Sequence, residues 1–341
     1  MSSETVMRYL RASVLSLKAM AITALLFLSS GCGSDSTVLS PEEIIRDARL
    51  DLLGDETYLM PANMNEEDET VFLPLRKWDI IFVGSMKPGV KTGADPAVLS
   101  LFIPGKYDHI LVYAGKDASG YAYAVELNTD DIRREGWQAV AVGGPRFICL
   151  GKDFGEAPDP LGAQVLSRDF YGIRWAKTFR TEDRMRLIAA DKVLTDRIRA
   201  DIIGKYPYQL EFRTSGQNIL IDRTLFLVDD GLKNGAGCAD YWTNLYEDYA
   251  GLCMKGVRET AQQITDYYLK DPVGRTAYLP GYLNPAGTGD LPIALAFSLG
   301  LRIVNDTPHR FSCDGTEETG LVLPNAIFES AAMEDIQPVS R

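Results

Sequence analysis

The chain has 341 residues, 46% of them hydrophobic, with 47 acidic against 35 basic side chains. A net charge of −12 repels polyanions, so nucleic acid is not an expected partner. The length suits one large domain with extensions, or two domains.

At the start, Arg8, Arg11 and Lys18 precede an uncharged run over residues 19–28, and Ser29-Ser30-Gly31-Cys32 follows. Residues 1–31 therefore read as a secretory signal, too short to span a membrane as a mature helix. Ser30-Gly31-Cys32 resembles a bacterial lipobox, which implies acylation of Cys32 and a mature protein held to the membrane by that lipid; an ordinary cleaved leader is the alternative. Asp35 comes only third after Cys32, which favours the outer membrane, facing the periplasm, in an envelope with two membranes. Residues 32–70 read as a tether and N-terminal segment, in which Ser40-Pro41-Glu42-Glu43 starts a helix expected to reach Leu53. The acidic residues 63–69 read as a solvated loop.

Residues 71–255 hold the elements of the expected main domain. Residues 78–85 form a buried-strand pattern running into a Pro/Gly-rich loop. Residues 107–115 and 121–128 are two strand patterns around the loop signal of residues 116–120, the best hairpin in the chain. A helix is expected from Thr181, which can cap it, with Leu187, Ala190, Leu194 and Ile198 on one face and Gly204 placed to end it. Residues 256–341 form a C-terminal extension with a helix near 259–269 and an apolar stretch at 291–304. Either a second domain or a wrapping segment is consistent with it.

Four cysteines follow Cys32: Cys149, Cys238, Cys253 and Cys313. They allow two disulfides, or at most one if Cys238 stays free. Only two histidines exist, His109 and His309. In the hairpin, a loop centred between Asp117 and Ala118 puts His109 directly opposite Glu126, as a carboxylate that orients an imidazole would be. A slip by one residue would put the two on opposite faces. The plain alternative is a core-edge histidine with a cross-strand ion-pair partner.

Cys238 lies between Gly235, Gly237 and a run in which Trp242, Leu245 and Tyr249 keep helical spacing, so it belongs at a helix N-terminus. There the positive end of the macrodipole favours thiolate, and unpaired N–H groups can stabilise an oxyanion. A nearby imidazole would hold the thiolate and later protonate a leaving group. Trp242, Tyr246 and Tyr249 read as core. There is no zinc-spaced cysteine pair, no phosphate loop and no GxSxG sequence, so neither a metal nor an organic cofactor is expected.

The order of these pieces is a WDIIF strand, a histidine strand, an acid strand, a helix leading into GKYPYQ, and last a cysteine-led helix. It resembles the circularly permuted papain-fold amidases, the YiiX-like branch of the NlpC-type cysteine peptidase superfamily. The resemblance covers roughly residues 75–251 and implies an α+β fold, an antiparallel sheet packed on helices with the nucleophile at a helix N-terminus. It makes Cys238 the nucleophile, His109 the base and Glu126 the orienting acid. It also implies Tyr206 or Tyr208 at the pocket and an Ala239 N–H at the oxyanion site. Trp78 stands where that family usually has glycine, Asp108 replaces a small residue, and Ala-Asp-Tyr follows the cysteine in place of Ser-Glu-Leu. The implied activity is hydrolysis of an amide bond, in a peptidoglycan stem peptide or an acylated amide or lipid, through a thioester. An acyltransferase or thioesterase would use the same trio, and a non-catalytic binding lipoprotein would lock Cys238 in a disulfide.

Overall fold

The computed structural model describes residues 39–62, 71–84, 107, 109–135, 138–155, 173–206, 210–214, 223–227, 237–260, 263, 302–303 and 308–340. Ser40 opens α1 (Pro41–Asp47) with a capping box: its hydroxyl accepts from the Glu43 N–H, and the Glu43 carboxylate accepts from the Ser40 N–H. Pro41 fits the first turn, where no N–H is needed. The helix stops at Ala48, left-handed with φ 48°, and a 3-10 turn at Leu50–Leu52 follows. It is therefore shorter than the expected run to Leu53.

A first hairpin joins β1 (Tyr58–Ala62) to β2 (Val71–Leu75). The central strands are β3 (Ile80–Gly84), β4 (His109–Lys116), β5 (Ala122–Glu135), β6 (Gln138–Gly151), β7 (Ile173–Phe179), β8 (Leu210–Thr214) and β9 (Arg223–Leu227). Short strands follow: β10 (Arg258–Glu259), β11 (Arg302–Ile303), β12 (Pro308–Arg310), β13 (Glu317–Thr319), β14 (Leu321–Val322) and β15 (Met333–Asp335). Among the described residues nine strands form one sheet in the order β11-β9-β8-β6-β5-β4-β3-β7-β15, antiparallel throughout except for the β11–β9 pair. The helices are α2 (Thr181–Ala189), α3 (Asp191–Gly204), α4 (Cys238–Ala250) and α5 (Pro324–Glu329). The fold is mixed α+β.

Alternation along the strands builds the core. Ile81 and Val83 of β3, Leu111 and Tyr113 of β4 and Ala124 of β5 join Tyr58, Met60, Leu73 and Leu75 of the first hairpin in one apolar cluster, closed by Ile336. Burial of a side chain of this size stabilises the fold by about 1.5–3 kcal/mol, so this cluster holds the β1–β2 hairpin on the sheet.

The β4–β5 register decides what shares a face with His109. Near the turn, Lys116 pairs with Ala122 and Gly115 with Tyr123; beyond Ala114, Tyr113 pairs with Ala124 and Leu111 with Glu126. Ala114 is the extra residue of a β-bulge. Gly115 next to it has φ 123°, and a Cβ there would collide with the Gly54 carbonyl oxygen, so only glycine fits. The expected centre between Asp117 and Ala118 lies too early in the chain. By itself that odd displacement would turn Glu126 away from His109, but the bulge takes one residue back and restores a common face. His109 thus lies two residues before Leu111, the residue opposite Glu126, and is a diagonal neighbour instead of a direct partner.

The expected single helix from Thr181 to Gly204 is two helices broken at Ala190. Arg180 occupies the N-cap of α2 and makes no side-chain cap bond, so Thr181 is not the cap. Gly204 is the last residue of α3, and Lys205, at φ 55°, makes the left-handed turn after it. Glu259 lies in β10, where a helix was expected to begin; the rest of residues 261–269, apart from 263, and residues 291–301 lie outside the described residues, as do 1–38 with Cys32 and the acidic 63–69.

Ser40–Arg341 form one compact unit. The C-terminal part joins it in three ways. β15 extends the sheet by pairing Met333 with Phe179. A Cys253–Cys313 disulfide ties the β12–β13 hairpin to the chain just beyond α4. A polar stripe on α4 at Asp240, Asn244 and Glu247 meets the Val322 N–H, the Arg258 guanidinium, and His309 with the Ser312 N–H.

Candidate active site

Three neighbouring strands and one helix supply the site. Glu126 sits in β5 with 1% of its surface exposed. On one side, His109 Nε2 lies 2.8 Å from Glu126 Oε2. On the other, Arg146 of β6, directly opposite Glu126 in the ladder, donates to Oε1 from Nε at 3.1 Å and from Nη2 at 2.7 Å. Each oxygen of the carboxylate therefore has its own cationic partner.

Cys238 is the first residue of α4, and its side chain lies near enough to the His109 ring to favour the charged imidazole. With Nε2 on Glu126, Nδ1 is the ring nitrogen available to the sulfur. Burial works against a charged imidazole, yet the nearby Cys238 and the hydrogen bond to Glu126, with their negative charges, outweigh it. The pKa of His109 is pushed up to about 10. That shift favours the imidazolium at neutral pH.

The helix that presents Cys238 is buried over its first ten residues, from Cys238 to Glu247. Tyr246 packs edge-on to Phe179 and donates from its hydroxyl to the Trp78 carbonyl, while Tyr241 donates to Asp201 of α3. Gly237 is the N-cap and offers no side-chain cap, and the first intrahelical bond runs from the Tyr241 N–H to the Gly237 carbonyl. The Cys238 and Ala239 N–H groups precede that bond, at the positive end of the helix. Gly237 has an ordinary φ of −72°, and a Cβ there would meet only the Asp240 carboxylate, at 3.2 Å. Space around the sulfur thus does not require glycine at 237; Gly235 lies outside the described residues.

The sequence-derived candidates fall into two groups. His109 and Glu126 are brought into contact with Cys238 nearby, and Ala239 lies in the first turn beside Cys238. Tyr206 is buried with its ring 5.3 Å from that of Tyr241, and its N–H donates to the Asp201 carbonyl, which places it between the end of α3 and α4. Tyr208 lies outside the described residues. Arg146 was not foreseen. Its only sequence signal is a lone arginine in an apolar strand pattern, and it becomes meaningful once β6 is set in register against Glu126.

Cys253 and Cys313 pair with each other, so Cys238 is a free thiol and the disulfide alternative for it is excluded. Cys149 likewise forms no disulfide and is fully buried in β6 beside Tyr123. The second histidine, His309, pairs with Glu247 at 2.9 Å on the C-terminal side of α4, where both neighbouring cysteines are oxidised. Among the described residues no group of three or more His, Cys, Asp or Glu side chains converges as a metal site would, and no helix is long and apolar enough to cross a membrane.

Comparisons of the chain with protein-family models, with curated proteins and with solved structures give no match. What the fold and the site define together is an α+β protein with a free thiol at a helix N-terminus, close to a carboxylate-held imidazole.

Proposed function

We propose that the protein is a cysteine hydrolase of permuted papain-like fold that cleaves an amide bond, exported and held in the cell envelope by a lipid on Cys32. The observation that carries this reading is the ordered series Cys238, His109, Glu126, with the sulfur at the N-terminus of α4. In the reaction, the Cys238 sulfur adds to the substrate carbonyl carbon while His109 holds the thiol proton. The oxygen that gains charge is met by the Cys238 and Ala239 N–H groups. Collapse breaks the C–N bond, His109 gives its proton to the departing amine, and a thioester forms on Cys238. Water, deprotonated by the now neutral His109, adds to the thioester and releases the acid and the thiol. Glu126 stabilises the imidazolium at each stage without taking its proton.

A wall-facing, lipid-held enzyme of this kind suits peptidoglycan stem peptides, with acylated amides or lipids as the other substrate class. Alkylation of the unreduced protein with iodoacetamide, followed by peptide mapping across pH, tests the site. His109→Ala is expected to slow the labelling of Cys238 at least about tenfold. Equal rates in the two proteins would end the proposal. Comparing wild type with Cys238→Ala on muropeptides and on acyl-amides then assigns the substrate, because only the true class shows turnover that the substitution abolishes.

A further inference from the structure

We infer that Arg146 is a positioning residue for this site: its two-pronged grip on Glu126 keeps that carboxylate ionised and turned so that it can hold His109 as an imidazolium. The inference rests on the reading of Cys238 as nucleophile and deepens it from a trio to a row of four.

The groups that meet here are His109 from β4, Glu126 from β5, Arg146 from β6 and Cys238 from α4, an alternating series of cation and anion once the thiol is ionised. Asp240, two residues along α4, is engaged with the Val322 N–H and stands 3.7 Å from Arg258. Glu126 has only 1% of its surface exposed, and a carboxylate that deep favours its neutral form unless a fixed positive charge opposes it. A neutral Glu126 could still touch the ring but could not stabilise its charge. Arginine supplies a charge that does not titrate and a planar fork that matches one carboxylate oxygen from two nitrogens. With Oε1 so held, Oε2 has one orientation, towards Nε2 of His109.

Arg146 also repels the imidazolium directly, so the sign of its effect must be decided by magnitude. Its side chain is 40% exposed, whereas that of Glu126 is 2% exposed. Water screens the repulsion across the site more than it screens the buried contact to Glu126. The holding effect wins.

The test is the pH profile of Cys238 alkylation in the full-length protein, read beside a thermal melt for each variant. Arg146→Gln keeps a hydrogen-bond donor and removes the charge; Arg146→Lys keeps a charge and loses the fork. The rising limb is expected to move to higher pH by about one unit in Arg146→Gln, a tenfold slower reaction at the foot of the curve, and by less in Arg146→Lys. A wild-type limb that depends on His109, together with an Arg146→Gln limb that is unmoved or moves to lower pH, overturns the inference and leaves the nucleophile reading standing. A wild-type profile that ignores His109→Ala overturns both. If Arg146→Gln does not fold, Arg146→Lys decides alone: an upward shift supports positioning, and a profile superimposed on wild type with only a lowered melting temperature refutes it.

Discussion

Trp78 holds a backbone shape that few side chains adopt, with φ 75°. The left-handed turn costs an indole-bearing residue about 1–2 kcal/mol. Against that, the ring is 1% exposed, its Nε1–H donates to Asp191 at 3.0 Å, and Lys77 lies 5.4 Å over its face. Losing a buried tryptophan typically costs about 3–5 kcal/mol, so burial outweighs strain. Trp78→Gly is expected to lower unfolding free energy by about 2–3 kcal/mol in urea melts, although glycine is the residue best suited to that turn. At His109 the balance is electrostatic. Its folded-state pKa of about 10 lies above the ordinary 6.5, so the charged ring contributes stability that is fully present below pH 6.5 and is lost as pH rises through about 10. Glu126→Gln removes one of the two partners that raise it and is expected to bring the upper edge of that window down, which urea melts between pH 6 and 10 would show as an earlier alkaline loss.

At the scale of elements, α2 is fastened to the start of β3 through Asp79. That carboxylate is fully buried and accepts from Arg184 at 2.8 Å, from the Thr178 hydroxyl at 2.7 Å and from the Arg76 N–H at 2.7 Å. Desolvation still raises its pKa above the usual carboxylate range despite those partners. Arg184→Met would leave it without its ion-pair partner and is expected to cost about 3–5 kcal/mol, while adding Asp79→Asn should recover part of the loss. A double-mutant cycle in urea measures both. Elements with strong local signals were legible in the sequence: the capping box of α1, the β4–β5 hairpin and the cysteine-led α4. The break at Ala190 was not, because the apolar spacing of Leu187, Ala190, Leu194 and Ile198 continues across it and nothing local marks the interruption. The shared face of His109 and Glu126 survives two displacements, a turn centred too early and a bulge at Ala114, which together keep the parity but not the direct pairing. Arg146 stayed hidden since its role depends on a strand pairing reached only after the long β5–β6 excursion.

In the whole molecule, the C-terminal residues act on the site at one remove, by burying the polar stripe of α4 and locking it with Cys253–Cys313. The bridge closes a loop with a sequence separation of 60, for which the chain-entropy relation gives about 4 kcal/mol. The Cys253→Ser, Cys313→Ser protein is expected to lose roughly that much stability in urea, and dithiothreitol should do the same to wild type while leaving the double variant unaffected. Such long-range ties have no local signature, which is why the extension could be read either way from sequence. The bulge at Ala114 has a consequence of another kind. Because strand residues alternate sides, the hairpin behaves as a frame of two, and His109 and Glu126 are in phase only while the count between them keeps its parity. Inserting or deleting one residue in β4 between His109 and Tyr113 would invert His109 without altering any group that touches the thiol, and a second such change would bring it back. Lineages of this hairpin should therefore accumulate length changes in pairs, or beside a new bulge, long after its side chains have diverged.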